Sequence, residues 1–280
     1  MEPPIKKHIS YSEMSDWVKC PHFHKKVHVE KVHKFKGNEY STFGTAMHSV
    51  CENILLKKNP NLAEEFRTVF EEKLKTIPAD KEINDVLVKE LYKAGPEILA
   101  TVEESVKEYF GEYEVYSTEE RLYEEIEGNG FFFKGFVDAV IKVGETYHLF
   151  DWKTCSWGWD AKRKSDKLTT YQLTLYKHYF CLKHNIDPKN VEIHFALLKR
   201  TAKKKRVEFF RVTSGKRKTE NALKLLYQSL YNIVKGVSIK NRLRCYKPYS
   251  CDLRGTTHCP KWQDSTGTSH DRKNQDLHDK

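Results

Sequence analysis

Two aspartates interrupt two apolar runs that flank a single turn signal: Asp138 in Gly135-Phe136-Val137-Asp138-Ala139-Val140-Ile141, and Asp151 in Leu149-Phe150-Asp151-Trp152-Lys153. Between them Gly144-Glu145 suits a two-residue type II′ hairpin turn, which takes Gly at its first central position. That turn sets Val143 against Thr146 and, counting outward, Asp138 directly opposite Asp151. Opposed residues of an antiparallel pair share one face, with Cβ atoms about 4.5–5.5 Å apart. Lys153, two residues past Asp151, points to that face as well. Carboxylates so placed repel one another unless a divalent cation joins them, and hard cations prefer oxygen ligands. The lysine adds a positive group beside an attacking water and a pentavalent phosphate, so the chemistry implied is metal-assisted phosphodiester hydrolysis. The plain alternative is an exposed polar face carrying two solvated aspartates and a lysine.

Further blocks keep this hairpin company. Gly44-Thr45-Ala46-Met47-His48, followed by Glu52, falls on a predicted helix, and Gln172 and Tyr176 stand one turn apart on another. In this order (G-x-x-x-H, G-x-x-D, D-x-K, Q-x-x-x-Y, spanning 44–176) the chain resembles the RecB-type branch of the PD-(D/E)XK nucleases, which includes the CRISPR-associated adaptation exonucleases. The resemblance implies an α/β restriction-endonuclease-like core, a mixed sheet flanked by helices. It implies Mg²⁺ or Mn²⁺ held by His48, Asp138, Asp151 and the backbone carbonyl of Trp152. Lys153 would orient or activate water, and Gln172 and Tyr176 would position the lysine and the DNA backbone. The alternatives are a satisfied core histidine for His48 and ordinary helix packing for Tyr176. Glu119, Glu120, Glu124 and Glu125 are candidates for an extra acidic role, and nothing in the sequence selects among them.

Four of the seven cysteines form a pattern: Cys20-Pro21 early, then Cys245, Cys251 and Cys259-Pro260 late. Iron–sulfur members of the same branch hold a [4Fe-4S] cluster with one N-terminal and three C-terminal cysteines, a staple across the ends of the domain. The departure is the wider spacing of the last three. Four thiolates suit an iron–sulfur cluster or tetrahedral zinc, and unligated thiols remain the third reading. Cys51, Cys155 and Cys181 fall inside predicted elements and read as packing residues.

The elements that must position these groups follow from capping and periodicity. Ser10-Tyr11-Ser12-Glu13 reads as a capping box opening a helix that ends near Cys20-Pro21. Residues 25–41 read as a basic, aromatic loop, and a helix is expected over about 43–56. A helical insertion follows over about 58–112, with Pro96 placed for a first helical turn. Period-two segments at 114–127, 130–143 and 146–155 predict an antiparallel meander. A basic loop at 161–167 leads to a helix over 170–184, strands at 191–199 and 205–212, and a helix over 218–235. This gives one domain over 1–260 and a polar, disordered tail over 261–280.

Composition sets the outer bounds. The 280 residues carry 49 Lys+Arg against 39 Asp+Glu, a net charge of +10, which favours a polyanionic partner. No stretch approaches 18 apolar residues, so a cytoplasmic protein without membrane association is expected, in a reducing compartment. Lys162-Arg163-Lys164, interleaved with Trp152, Trp157, Trp159 and Tyr171, suggests a cationic groove with stacking platforms for single strands or duplex ends; the alternative is a solvated loop over packed aromatics. No phosphate-binding ATPase loop is present, so unwinding falls to a helicase or recombination partner, or the substrate is already single-stranded. The reading is a metal-dependent DNA exonuclease. Its rivals are an inactive nucleic-acid-binding module of the same fold, an endonuclease and an RNA-acting enzyme.

Overall fold

The computed structural model describes residues 7–32, 37–58, 61–78, 81–126, 128, 130–245 and 251–260; the tail expected over 261–280 lies outside them. The chain packs as two compact units, one of residues 1–12 and 35–228, the other of 13–34 and 229–280.

The first unit is built on a six-stranded mixed sheet. Strand β2 (Glu114–Ile126), β3 (Phe131–Val143) and β4 (Thr146–Cys155) form the meander the alternation predicts. Gly144 takes φ +56° at the β3–β4 turn, as a II′ turn requires, and Val143 pairs with Thr146. β4 then runs parallel to β5 (Val191–Lys199), and β5 pairs antiparallel with β6 (Val207–Val212). A parallel pair needs a crossover, and the connection from β4 to β5 carries α7 (Ala161–Ser165) and α8 (Lys167–His184). The short β1 (His8–Ser10) joins β3 in parallel at Phe132, Phe133 and Lys134.

This topology leaves a gap. β2 occupies one edge of β3 along almost its whole length, so β4 and β1 must share the other edge. Pairing with β4 stops at Ala139↔Phe150 and pairing with β1 ends at Lys134, which leaves residues 135–138 of β3 unpaired on that edge. Asp138 lies in this opening.

Helices α3 (Glu39–Leu55), α4 (Leu62–Leu74), α5 (Asp85–Leu99) and α6 (Val102–Phe110) bury one shared core, Phe43, Met47, Phe66, Phe70, Ile98 and Val106, with Phe150 and Trp152 of β4. Their starts follow capping chemistry: Asn38 and Ser41 form a reciprocal capping box on α3, while Asn61 and Asn84 cap α4 and α5.

Three local expectations are corrected. Pro96 lies inside α5 rather than in a first turn. Proline's fixed φ is helical, so its cost is one hydrogen bond and a clash with the preceding turn, and burial of Ile98 and Leu99 keeps the helix continuous. The basic segment at 161–167 is helical because Asp160 caps α7 and Asp166 caps α8, each accepting a backbone N–H three residues on. The segment at 25–41 is not a loop throughout: Lys25–Val29 forms a π-helical turn and α3 already begins at Glu39, while residues 33–36 lie outside those described.

In the second unit α1 (Tyr11–Lys19) passes through Cys20 into α2 (Pro21–His24), Pro21 standing at the first helical position. Glu13 meets His24 at 3.1 Å and Asp16 meets His28 at 3.0 Å. The C-terminal part of α9 (Lys216–Val234) and a 3-10 turn at Arg242–Cys245 supply the rest of this unit's framework. Among the described residues no helix is long and apolar enough to cross a membrane.

Candidate active site

Asp138 and Asp151 face the opening between β3 and β4. Asp138 Oδ2 accepts the backbone N–H of Trp152 at 2.7 Å, so the carboxylate stands in for the β3 backbone acceptor that β4 lacks here. The same oxygen lies 3.3 Å from His48 Nδ1. His48 arrives on α3, one turn beyond Gly44, where an added Cβ would make only an ordinary contact, 3.5 Å from Thr154 Oγ1.

Asp151 is 2 % exposed. Its Oδ1 accepts from Gln172 Nε2 at 2.8 Å, and Lys153 Nζ forms an ion pair with Oδ2. Gln172 Nε2 also donates to Tyr176 OH at 3.3 Å, so the two α8 residues act on one face as their four-residue spacing requires. Tyr176 reaches this position over Gly135, where a Cβ would meet its ring at 2.8 Å. The glycine three residues before Asp138 is therefore a packing requirement for the tyrosine.

Burial is the main cause of the shifted ionisation here. It pushes the Asp151 carboxyl up to about 6, with Asp138 adding to the shift and Lys153 opposing it. Burial also opposes the charged form of Lys153, but Asp151 and Asp138 outweigh it and hold the ammonium above its ordinary range. His48 is likewise raised: Asp138 overcomes the cost of burial. His48 meets Asp138, and Asp138 in turn acts on Asp151, so two carboxylates and an imidazole are gathered at this opening. That donor set, two carboxylates and a histidine, fits a hard divalent cation.

Of the four glutamates the sequence left open, Glu119 lies within electrostatic reach of Asp138, His48 and Asp151. Thr118 pairs with Ala139 and Glu120 with Val137, so Glu119 counts opposite Asp138, yet that pair is missing from the ladder. Glu119 takes φ +48°, a left-handed conformation unusual within a strand. Burial raises its pKa, and Asp138, Glu52, His48 and Asp151 all act on it electrostatically. Glu52, one turn after His48 on α3, accepts from Thr118 Oγ1 at 2.8 Å. Glu120 is committed elsewhere, to His184 at 2.8 Å and Lys183 at 2.6 Å.

The stacking platforms are corrected in part. Trp152, Trp159 and Tyr171 are buried, and Trp157 alone of the four is exposed, at 74 %. Packing explains this: Trp152 lies in the core against Phe150, and Trp159 lies against Phe195 with the Arg163 guanidinium over it at 4.3 Å. Trp157 instead lines a cleft of about 440 Å³ with Tyr40, Thr154, Arg163 and Arg200. The Arg200 guanidinium stands 4.5 Å from the Tyr40 ring. The pairing of Tyr40 with Arg200 was not visible in the sequence, because α3 and the turn after β5 meet only in the fold.

In the second unit, Cys20 Sγ accepts the backbone N–H of Asn241 at 3.4 Å. The Cys245 thiol is raised by burial and then by Cys251, Cys259 and Cys20, so the four sulfurs share one neighbourhood. Burial raises Cys251 as well, opposed by a Leu253 backbone N–H and by Arg244. Cys51, Cys155 and Cys181 are buried, as packing residues should be.

A profile of the PD-(D/E)XK nuclease superfamily matches residues 8–260. The chain belongs to that superfamily. Its α/β fold, a mixed sheet flanked by helices, has a solved counterpart in a protein of Eubacterium rectale provisionally assigned as an exonuclease. The two align at TM-score 0.58 and 13% identity, covering 88% of this chain and 86% of that one. A second structure, that of SSO0001, aligns at TM-score 0.39 and 14% identity over 87% of this chain and 83% of its own. No curated protein sequence matches the chain.

Proposed function

We propose that this PD-(D/E)XK protein is a metal-dependent DNA nuclease of the RecB type that works from ends or on single strands. The observation that carries the reading is the opening in β3, where His48, Asp138, Asp151, Lys153 and Gln172 are joined by contacts within hydrogen-bonding or ion-pairing reach.

His48, Asp138, Asp151 and the Trp152 carbonyl would hold Mg²⁺ or Mn²⁺, with Glu119 as a further acidic group at the same opening. When bound, the ion would neutralise the carboxylates, lower the pKa of water and polarise a phosphoryl oxygen. The remaining work belongs to the chain. The Lys153 ammonium stabilises negative charge as the water oxygen bonds to phosphorus and the P–O bond to the leaving oxygen breaks. Gln172 fixes the Asp151 carboxylate, and Tyr176 fixes Gln172. Trp157 and Tyr40 offer rings, and Arg163 and Arg200 offer charge, for an unpaired strand held without base reading. Duplex opening would fall to a helicase or recombination partner. Cys20, Cys245, Cys251 and Cys259 would hold a [4Fe-4S] cluster, zinc being the alternative.

The test is incubation of the full chain with end-labelled single- and double-stranded DNA, and with RNA, under Mg²⁺, Mn²⁺ or EDTA. Release of short products from DNA ends with metal only is expected, and Asp151→Ala or Lys153→Ala should abolish it while binding persists. Metal-independent cleavage, or binding without cleavage by the parent under every metal, would overturn the proposal. Faster cleavage of RNA would reassign the substrate.

A further inference from the structure

A second group of metal-type donors lies outside the nuclease opening. His148 on β4 pairs in register with Glu192 on β5, and His194 follows two residues later on the same face of β5. His148 stands three residues before Asp151, so its side chain lies on the other face of the sheet, where Phe110 packs against it at 5.0 Å between ring centroids.

His148 Nδ1 lies 3.2 Å from His194 Nε2, and Glu192 Oε2 lies 3.7 Å from each of these nitrogens. Zinc ligands stand about 2.0–2.1 Å from the ion, which puts the vertices of their tetrahedron about 3.3–3.4 Å apart. The three atoms therefore already sit at nearly the spacing of three such vertices. We propose that His148, Glu192 and His194 form a binding site for one zinc-type transition-metal ion that ties β4 to β5.

The surroundings support the geometry. Arg211 holds the other carboxylate oxygen, Glu192 Oε1, at 2.8 Å, which orients Oε2 toward the imidazoles. Tyr109 OH lies 3.5 Å from His194 Nδ1, the nitrogen that faces away from the group. Outer contacts of this kind set the tautomer and direction of ligating rings. Phe110 and Tyr109 pack edge-on against His194, which is 2 % exposed, while the part-exposed Glu192 leaves a way in from solvent. Burial lowers the pKa of both rings, for His148 against the opposing Glu192 and for His194 with help from His148 and Arg211, which favours the neutral form that ligates metals. Two imidazoles and a single carboxylate select zinc, cobalt or nickel over magnesium. The site is independent of the nuclease reading, since neither its residues nor its face are shared with Asp138 and Asp151.

Cobalt(II) titration of the full chain, with Mg²⁺ in excess to occupy oxygen-rich sites, tests the assignment. A d–d absorption band without the thiolate charge-transfer band that cysteine ligation would add is expected at one equivalent. Zinc should displace the cobalt and raise the melting temperature. Glu192→Gln keeps the shape of the side chain and should weaken cobalt binding about tenfold or more, as should His148→Asn. Unchanged melting of Glu192→Gln without metal would show that the variant is folded. Cobalt binding that survives both substitutions, or that vanishes only in Cys20→Ser, would overturn the proposal. So would a folded parent that takes up no cobalt beyond the thiolate-ligated fraction, leaving a hydrogen-bonded imidazole pair.

Discussion

Glu119 occupies a left-handed conformation in the middle of a strand, opposite a carboxylate and close to two more acidic side chains. A non-glycine residue held there costs about 1–2 kcal/mol, and such strain persists where the surroundings enforce it, often at functional sites. Glu119→Gly should relieve the strain and the repulsion together, raising the melting temperature of the metal-free protein by roughly 2–4 °C while lowering metal-dependent cleavage. A melting temperature that falls would show that the glutamate is at ease. Asp151 makes a second prediction. Its folded pKa of about 6 lies above its ordinary 3.8, so the folded state holds the proton more tightly than the unfolded chain. The stability from this group is complete below about pH 4 and is lost as pH rises through about 6. The loss is on the order of 3 kcal/mol. Denaturant unfolding of the metal-free protein from pH 4 to 7 should show that decline, Asp151→Asn should flatten it, and Mn²⁺ should reverse it above pH 6. Parallel pH profiles for parent and variant would refute the assignment. The pairing from Val143↔Thr146 to Ala139↔Phe150 was legible before the fold because a hairpin register depends only on its own turn, but the ladder ends one pair short of the expected opposition of Asp138 and Asp151. Glu119 was not legible, because nothing in Glu119-Glu120 tells which residue will take a positive φ.

At the level of elements, the close approach of α8 to β3 rests on one missing methyl group. Gly135→Ala would put a Cβ 2.8 Å from the Tyr176 ring and 3.2 Å from Phe133, both buried. Overpacking of this kind costs about 1–3 kcal/mol, and the displaced tyrosine would release Gln172 from one of its two acceptors. Lower stability and slower cleavage are expected together. Gly44→Ala meets only Thr154 Oγ1 at 3.5 Å in a helix where alanine is the better former, so it should be neutral or stabilising. Equal effects at the two glycines, measured by melting and by turnover, would remove the distinction. The strands were readable from alternation and the long helices from periodicity. The short α7 was not, because five residues with three basic side chains carry no apolar stripe, and only Asp160 marks the start. His148 and His194 escaped for a different reason: their proximity depends on a parallel pairing across a crossover, which no local pattern encodes.

For the whole molecule, the second unit is assembled from two chain segments, 13–34 and 229–280, that lie about two hundred residues apart in sequence. Bringing them together closes a long loop, and the contacts that offset this cost include His22 with the His258 carbonyl at 3.0 Å, Asn241 with the Lys19 carbonyl at 2.8 Å and Arg244 with Asp16 at 3.6 Å. A cross-link through Cys20 and the three late cysteines would remove much of that entropy from the unfolded chain, by an amount that grows slowly with loop length. A tetrahedral zinc site needs sulfurs about 3.8 Å apart, given Zn–S bonds of about 2.3 Å. The proposed [4Fe-4S] cluster would instead take one thiolate at each of its four irons. If the four thiols hold the proposed cluster, protein purified without oxygen should be brown and carry about four irons per chain. Cys20→Ala should lose the iron and melt about 5–15 °C lower, a range set by an analogous covalent cross-link. Its cleavage should recover when assayed well below the new melting temperature, because Cys20 is not among the residues assigned to the reaction. Colourless protein whose four thiols alkylate freely and whose Cys20→Ala variant melts with the parent would end the cluster assignment and leave the thiols as packing groups.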